Sequence, residues 1–454
     1  MGSPPDTSKT TKLERYNSYL RRMSSAKLLA ASSKVLFRAT LLATVLLIIL
    51  LTLHYPFSLS YISIFSYSSP SPHRSLLSSF SDSFGPAWDR DVRRSATPRR
   101  DAGLSVLVTG AAGFVGSHCS LALKKRGDGV VGLDNFNSYY DPALKRSRQA
   151  LLTRHAILIV EGDINDSSLL TRLFATYPFT HVLQLAAQAG VRYAAKNPHS
   201  YVASNVAGLV SLFEVAAKSA DPQPAIVWAS SSSVYGLNEK SPFSESDPTD
   251  HPASLYAATK KAGEAIAHTY NHIYGLSFTA LRFFTVYGPM GRPDMAYFFF
   301  TKAILAGKPI TVFRIPGGKD VARDFTYIDD VVKGCLGALD TAEKSTGTPG
   351  GGPKTGPAQL RVYNLGNTTP VPVVKLVSIL EKLLGVRAKK NVVTMPSNGD
   401  VPFTHANIRL AARDFGYQPT TDLSTGLQKF VKWYVHYYGI KLKAEAGGGQ
   451  MAAA

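Results

Sequence analysis

The chain has 454 residues, 45% of them hydrophobic and 18% charged, a composition that fits folded globular proteins and excludes wholesale disorder and collagen. Fifty Lys and Arg against 31 Asp and Glu give a net charge of +19, but a net +8 of it lies in residues 1–101, where 14 basic residues face 6 acidic ones. No long basic block follows, so a membrane flank and an anionic small substrate account for the charge and nucleic acid is not an expected partner. Two cysteines, Cys119 and Cys335, exclude a disulfide framework and a cysteine-rich metal site; both read as small buried apolar residues, and no metal is expected.

Residues 1–38 form a basic tail in which eight Lys and Arg face only Asp6 and Glu14. The run Ala39–Leu53 carries no charge, and the apolar stretch, taken as 39–60, reaches the roughly 20 residues that cross a bilayer. The basic flank predicts a cytosolic tail with the bulk of the chain across the membrane, a single-pass type II topology. A cleaved signal peptide fits less well, because the flank is long and Leu53-His54-Tyr55-Pro56 offers no small-x-small site. Residues 61–103, rich in Ser, Pro and Arg, read as a flexible stem, 346–358 as a surface loop and 441–454 as a disordered tail.

The body begins with the short apolar strand Ser105–Thr109, which runs into Gly110-Ala-Ala-Gly113-Phe-Val-Gly116 and a helix over 117–125. Glycines let backbone approach a pyrophosphate, and the helix N-terminus offers free N–H groups; a tight strand-to-helix turn would use the same residues without a ligand. A second strand, Val130–Leu133, ends in Asp134, placed to accept ribose hydroxyls and repel a 2′-phosphate, which favours NAD over NADP. Further apolar runs at 157–160, 181–187 and 225–229, separated by helical stretches, predict an α/β fold with a parallel, doubly wound Rossmann sheet. Its domain is expected over 104–285, with some later return segments, and a smaller substrate domain mainly over 286–440.

The fifth strand ends in Ser230-Ser231-Ser232-Ser233-Val234-Tyr235-Gly236, at the edge of the sheet where ligands bind. Tyr256-Ala-Ala-Thr-Lys260 opens a helix that stops at Gly275, and the i, i+4 spacing puts Tyr256 and Lys260 on one face. A cation beside a phenol favours the phenolate, so Lys260 with an oxidised nicotinamide is expected to bring Tyr256 toward neutrality as a base. Tyr437 and Lys441 share the spacing, but Gly439 between them marks a helix end.

Through GAAGFVG, LDNFN, GDI, LAAQAGVRYA, SSSSVYG and YAATK, in order over roughly 104–435, the chain resembles the extended short-chain dehydrogenase/reductase family. Within it, QAGVRYAA (188–195), RFFTVYGPMGRPDMA (282–296) and RDFTYIDD (323–330) resemble the UDP-glucuronate 4-epimerase group, whose plant members have a Golgi type II anchor and supply galacturonate for pectin. The resemblance implies tightly bound NAD held by Gly110, Gly113, Phe114, Gly116, Asp134, Asn135, Asp163, Ile164, Leu185, Ala186, Ala187, Tyr256 and Lys260. It implies that Tyr256 takes the proton of the sugar 4-hydroxyl with Ser231 or Ser232 sharing the hydrogen bond, and that Lys260 also holds the nicotinamide ribose. Thr285, Ser233 and Arg292 are implied for the substrate carboxylate, Arg323 for the diphosphate, and Arg192 as a further contributor; Asp400 is a candidate for the nucleotide pocket. Asp329 and Asp330 read as the start of a helix as much as ligand contacts.

Related decarboxylases carry a glutamate where this chain has 231–234, and related dehydratases an acid and a base; neither is present here. A cofactor-sensing scaffold is disfavoured by the intact Tyr256, Lys260 and Ser231, and a sterol-type dehydrogenase by Arg192, Arg292 and Arg323. The family commonly forms homodimers through paired helices, so a homodimer is expected. With a lumenal body, Asn165-Asp-Ser167 and Asn367-Thr-Thr369 become glycosylation sequons.

Overall fold

Seven parallel strands carry the structure, a computed structural model that describes residues 85–442 except 397 and 398, together with Leu42 and Thr44. The expected cytosolic tail, the anchor over 39–60, the stem up to 84 and the tail from 443 lie outside the described residues. In chain order the strands are β1 (Ser105–Thr109), β2 (Gly129–Asp134), β3 (Leu158–Glu161), β4 (His181–Gln184), β5 (Ala225–Ser231), β6 (Phe278–Phe283), β7 (Thr285–Tyr287), β8 (Ile310–Arg314), β9 (Ala322–Tyr327), β10 (Leu360–Leu365), β11 (Pro370–Pro372) and β12 (Lys390–Thr394). The main sheet has the order β10-β6-β5-β4-β1-β2-β3, so its topological switch lies between β1 and β4. Every residue of β1, β2 and β4 is buried, which is why these strands read as unbroken apolar runs rather than alternating ones.

Helices cover both faces and form two apolar clusters, one joining Val106, Val108, Cys119 and Cys335 to the C-terminal helices, the other joining Leu107, Val131, Phe213 and Trp228. The smaller sheets, β11-β9-β7 and β12-β8, are separate from the main one, and the first carries Thr285 on β7 and Arg323 on β9. The helix Pro198–Lys218 is long and apolar enough to cross a bilayer, yet half of its apolar window is buried in the body, as for a core helix. Asp330 is fully buried at the first turn of Ile328–Asp340 and accepts from the Thr421 N–H at 3.0 Å, a fold role for that acidic pair.

The expected flexible stem over 61–103 is corrected by a helix, Pro86–Ala96. Proline at its start presets the first turn, and Trp88, Val92 and Ala96 recur at helical spacing against the second apolar cluster. Ser95 accepts the Leu158 N–H at 2.9 Å, Lys124 donates to the Ser95 carbonyl at 3.1 Å, and Arg172 grips Asp89 through both carboxylate oxygens. That segment belongs to the body.

Candidate active site

Every residue predicted for catalysis, cofactor or substrate lines one cavity of about 1010 Å³ at the carboxyl ends of the sheet, with Asp400 among them. Gly110 has φ of 67°, and a Cβ there would lie 2.7 Å from the Ala186 nitrogen. At Gly116 a Cβ would lie 2.2 Å from the Gly110 oxygen. The helix Phe114–Arg126 starts at Gly113 with no side-chain cap, so its first N–H groups face the cavity, which fits a dinucleotide pyrophosphate.

Asp134 does more than the sequence reading assigned to it. It accepts the Ala112 N–H at 3.1 Å and the Phe136 N–H at 2.9 Å, and Lys145, which that reading missed, lies 3.0 Å away in a buried ion pair. Lys145 offsets the negative charge that was expected to repel a 2′-phosphate, and Asp134 braces the glycine turn in addition to the ribose contact expected of it. Asn135 donates to Asp163 at 2.7 Å. Burial raises the Asp163 carboxyl, but bonds from Asn135 and Asn165 outweigh it and hold it below its usual value.

Tyr256 enters the cavity from the first turn of Leu255–Tyr274, whose Ser254 caps the Ala257 N–H at 3.1 Å. Ser231 Oγ accepts the Ser233 N–H at 3.2 Å, and its hydroxyl favours the ionised form of the Tyr256 phenol. Ser230 turns away to Glu264 at 2.7 Å. Of the serine run it is Ser231 that acts on the Tyr256 phenol. Burial pushes the phenol up, while the Ser231 bond and the charge of Arg292 oppose it. The expected lowering by Lys260 is not met by the protein's own groups: Lys260 donates to the Ala229 carbonyl at 2.8 Å, stands 6.0 Å from the Tyr256 ring centre, and is itself lowered by burial to about 7. Burial, which disfavours the charged lysine, is the physical reason.

Behind the tyrosine, the helix Pro198–Lys218 contains a π turn at Ala203–Ala207 that carries Asn205. Asn205 accepts the Gln188 N–H at 2.9 Å and donates to the Gln188 carbonyl and Thr259 Oγ1, each at 3.0 Å. It locks the loop after β4 to the Tyr256 helix. No spacing rule pointed to it.

On the substrate side, Thr285 lies on β7, and Arg292 is held by Asp294 through Nε at 3.0 Å and Nη2 at 2.6 Å. Burial opposes charge on Arg292, and Asp294 keeps it a cation; the arginine in turn holds the Asp294 carboxyl below its usual value against burial. Tyr139 donates to Asp294 at 3.0 Å. Arg323, on β9, is lowered by burial with Asp400 opposing, and Arg192 pairs with Asp400 at 2.7 Å. Asp294 and Tyr139 were missed, although an acid two residues after a candidate arginine is a readable signal. Of the cavity's acids, Asp134 and Asp163 lie at the glycine-turn end, and Asp294 and Asp400 are paired with arginines.

The sequons differ in accessibility. Asn367 commits its amide to the Phe325 and Thr421 carbonyls at 3.1 and 3.0 Å, whereas Asn165 is exposed and donates to Asp163 at 2.7 Å.

Residues 106–352 match the NAD dependent epimerase/dehydratase family. The chain is 67% identical over 452 residues to UDP-glucuronate 4-epimerase 6 of Arabidopsis thaliana, covering 97% of this chain and 96% of that protein. It is 71% identical over 370 residues to UDP-glucuronate 4-epimerase 2 of the same plant, covering 82% and 83%. Among solved structures it resembles UDP-glucuronic acid 4-epimerase from Bacillus cereus in complex with UDP-glucuronic acid and NAD, with a TM-score of 0.64 and 34% identity over 73% of this chain and 99% of that one.

Proposed function

The chain belongs to the NAD dependent epimerase/dehydratase family, and from that premise we propose that it interconverts UDP-glucuronate and UDP-galacturonate by epimerisation at C4. The observation that carries the reading is one cavity that brings together Tyr256, the Ser231 hydroxyl that lowers its phenol against burial, and Arg292, clamped as a cation by Asp294. Tyr256 accepts the proton of the sugar 4-hydroxyl, and Ser231 stabilises the resulting charge. Lys260, lowered to about 7, stands behind it as a proton holder anchored to Ala229. NAD, when bound against the glycine turn, supplies the hydride acceptor for C4. Arg292 and Thr285 hold the carboxylate while the 4-keto sugar turns its other face, and Tyr256 returns the proton to the new 4-hydroxyl.

Residues 39–60 anchor the chain, with the basic tail cytosolic and the body in the lumen of the Golgi, where the product would feed pectin synthesis. The uncharged run Ala39–Leu53 and its basic flank support this. The body divides into a cofactor part over 104–285 and a substrate part mainly over 286–440, and two copies pair as a homodimer. Protease protection of the body in sealed vesicles supports the topology, and full digestion without detergent overturns it.

The test of the activity is to incubate the purified full-length chain with UDP-glucuronate, add no cofactor, and follow products by chromatography with mass detection. An isomer of unchanged mass that co-elutes with UDP-galacturonate is expected. Loss of carbon dioxide from the product would assign a decarboxylase instead.

A further inference from the structure

Arg148, on the helix Pro142–Arg154, has 0% exposure. Another deeply buried arginine, Arg282 on β6, is gripped by Glu264 through two bonds of 2.8 Å. Arg148 has no such partner among the described residues: its two terminal nitrogens donate to uncharged oxygens, and its buried Nε has no hydrogen-bond partner. Nη1 donates to the Ala112 carbonyl at 3.0 Å and to Tyr140 Oη at 2.8 Å; Nη2 donates to the Met290 carbonyl at 2.6 Å and the Gly291 carbonyl at 3.3 Å. A buried guanidinium held by neutral acceptors is a costly way to fill space that an apolar side chain could fill. Its sense lies in what it joins.

Ala112 belongs to the glycine turn, and its N–H is bound to Asp134, so this peptide is gripped at both ends. Met290 and Gly291 lead directly into Arg292. Met290 has φ of 57°, a setting that a non-glycine residue holds only when its surroundings fix it. A Cβ on Gly291 would lie 1.9 Å from Tyr297 Oη, so the loop has no slack on its other side. A second link runs in parallel from the same segment, Tyr139 to Asp294, and Asp294 holds Arg292.

We propose that Arg148 is a positioning residue for recognition of the substrate carboxylate, tying the glycine turn to the loop that aims Arg292. This rests on the reading that the substrate is a nucleotide uronate. Two-point recognition of a carboxylate by a guanidinium is lost when the loop shifts by about 1 Å, whereas a ligand without the carboxylate has no such bond to lose.

The test compares affinity for UDP-glucuronate with that for UDP-glucose, which carries a hydroxymethyl group in place of the carboxylate, in the full-length chain and its variants. Arg148→Met is expected to weaken UDP-glucuronate by about tenfold or more, as KM and as calorimetric Kd, and UDP-glucose by less than about threefold. NAD content should be retained, and Arg148→Lys should recover part of the difference. Equal losses for both ligands, or loss of NAD together with the melting temperature, would make Arg148 a structural residue and overturn the proposal. Should Arg148→Met fail to fold, Tyr139→Phe removes the parallel link at the cavity; there the preference for the uronate should fall by about threefold, and an unchanged preference overturns the proposal. Failure of the functional reading is separate and visible first, as wild-type protein that does not turn over UDP-glucuronate.

Discussion

The two ends of the cavity are built from different materials. The cofactor end is backbone: three glycines within 110–116 and an uncapped helix N-terminus, so close that a methyl group at Gly116 would overlap the Gly110 oxygen. The sugar end is side chain: Arg192, Arg292 and Arg323 come from three separate segments, and two of them are clamped by carboxylates, Asp400 and Asp294. A backbone cradle is set by local geometry and tolerates almost nothing, whereas a set of tethered arginines can be altered one at a time. Substitutions at the first end should therefore act as switches and those at the second as graded losses.

The largest effect is expected where the two ends meet. Tyr256→Phe removes the acid–base group and should lower kcat by about 10³-fold or more while the fold and NAD content stay intact. Chromatographic conversion of UDP-glucuronate measures it, and substantial residual turnover would break the mechanism. Next comes Gly116→Val at the cofactor end. Backbone cannot yield to the added side chain, so the purified variant should hold less than about a tenth of the wild-type NAD, read after heat release. Retained NAD would show that the cradle is not the switch the comparison makes it.

That contrast also explains what was legible in the sequence. The glycine turn, Asp134 and the Tyr256–Lys260 pair are each local, within one strand-turn-helix or one helical turn, so spacing alone exposed them. Arg148 escaped because three of its four acceptors are backbone carbonyls 36, 142 and 143 residues away, and a carbonyl leaves no mark on the residue type. Asn205 escaped because a π turn has no spacing signature. Lys145 escaped although it lies only 11 residues from Asp134, since the turn between them had to be folded before the pair could form. The helix Pro86–Ala96 was readable from Pro86 and its apolar spacing, but the Ser- and Arg-rich composition around it masked the signal. The direction of the Tyr256 shift was not readable at all, because burial depends on the whole fold.

A finer division runs inside the serine segment. Ser231 is the serine whose hydroxyl acts on the Tyr256 phenol, so Ser231→Ala should lower kcat by about tenfold to thirtyfold, the loss of a hydrogen bond to a developing charge. Ser232→Ala should stay within about threefold, because Ser232 lines the cavity without that bond. Equal losses at both positions would mean that the segment, rather than one hydroxyl, supports the proton.

The smallest effect concerns stability rather than turnover and follows from Lys260. Burial lowers its folded value to about 7, against an ordinary value of 10.5 in the unfolded chain. Between these two values the unfolded chain holds a proton that the folded protein lacks, so unfolding takes up a proton and stability rises with pH. Below about 7 both states are protonated, the slope disappears and the whole cost of the buried charge is felt. The contribution in the window is at most one proton, or about 1.4 kcal/mol per pH unit. Lys260→Met replaces the ammonium by a side chain of similar reach that cannot titrate, so denaturant unfolding between pH 7 and 9 should show a shallower rise for the variant than for wild type. Parallel curves would mean that Lys260 keeps its charge through its bond to Ala229. The cation would then act on Tyr256 across the 6.0 Å that separates them, and the lysine would belong with the tethered arginines rather than with the backbone-built end.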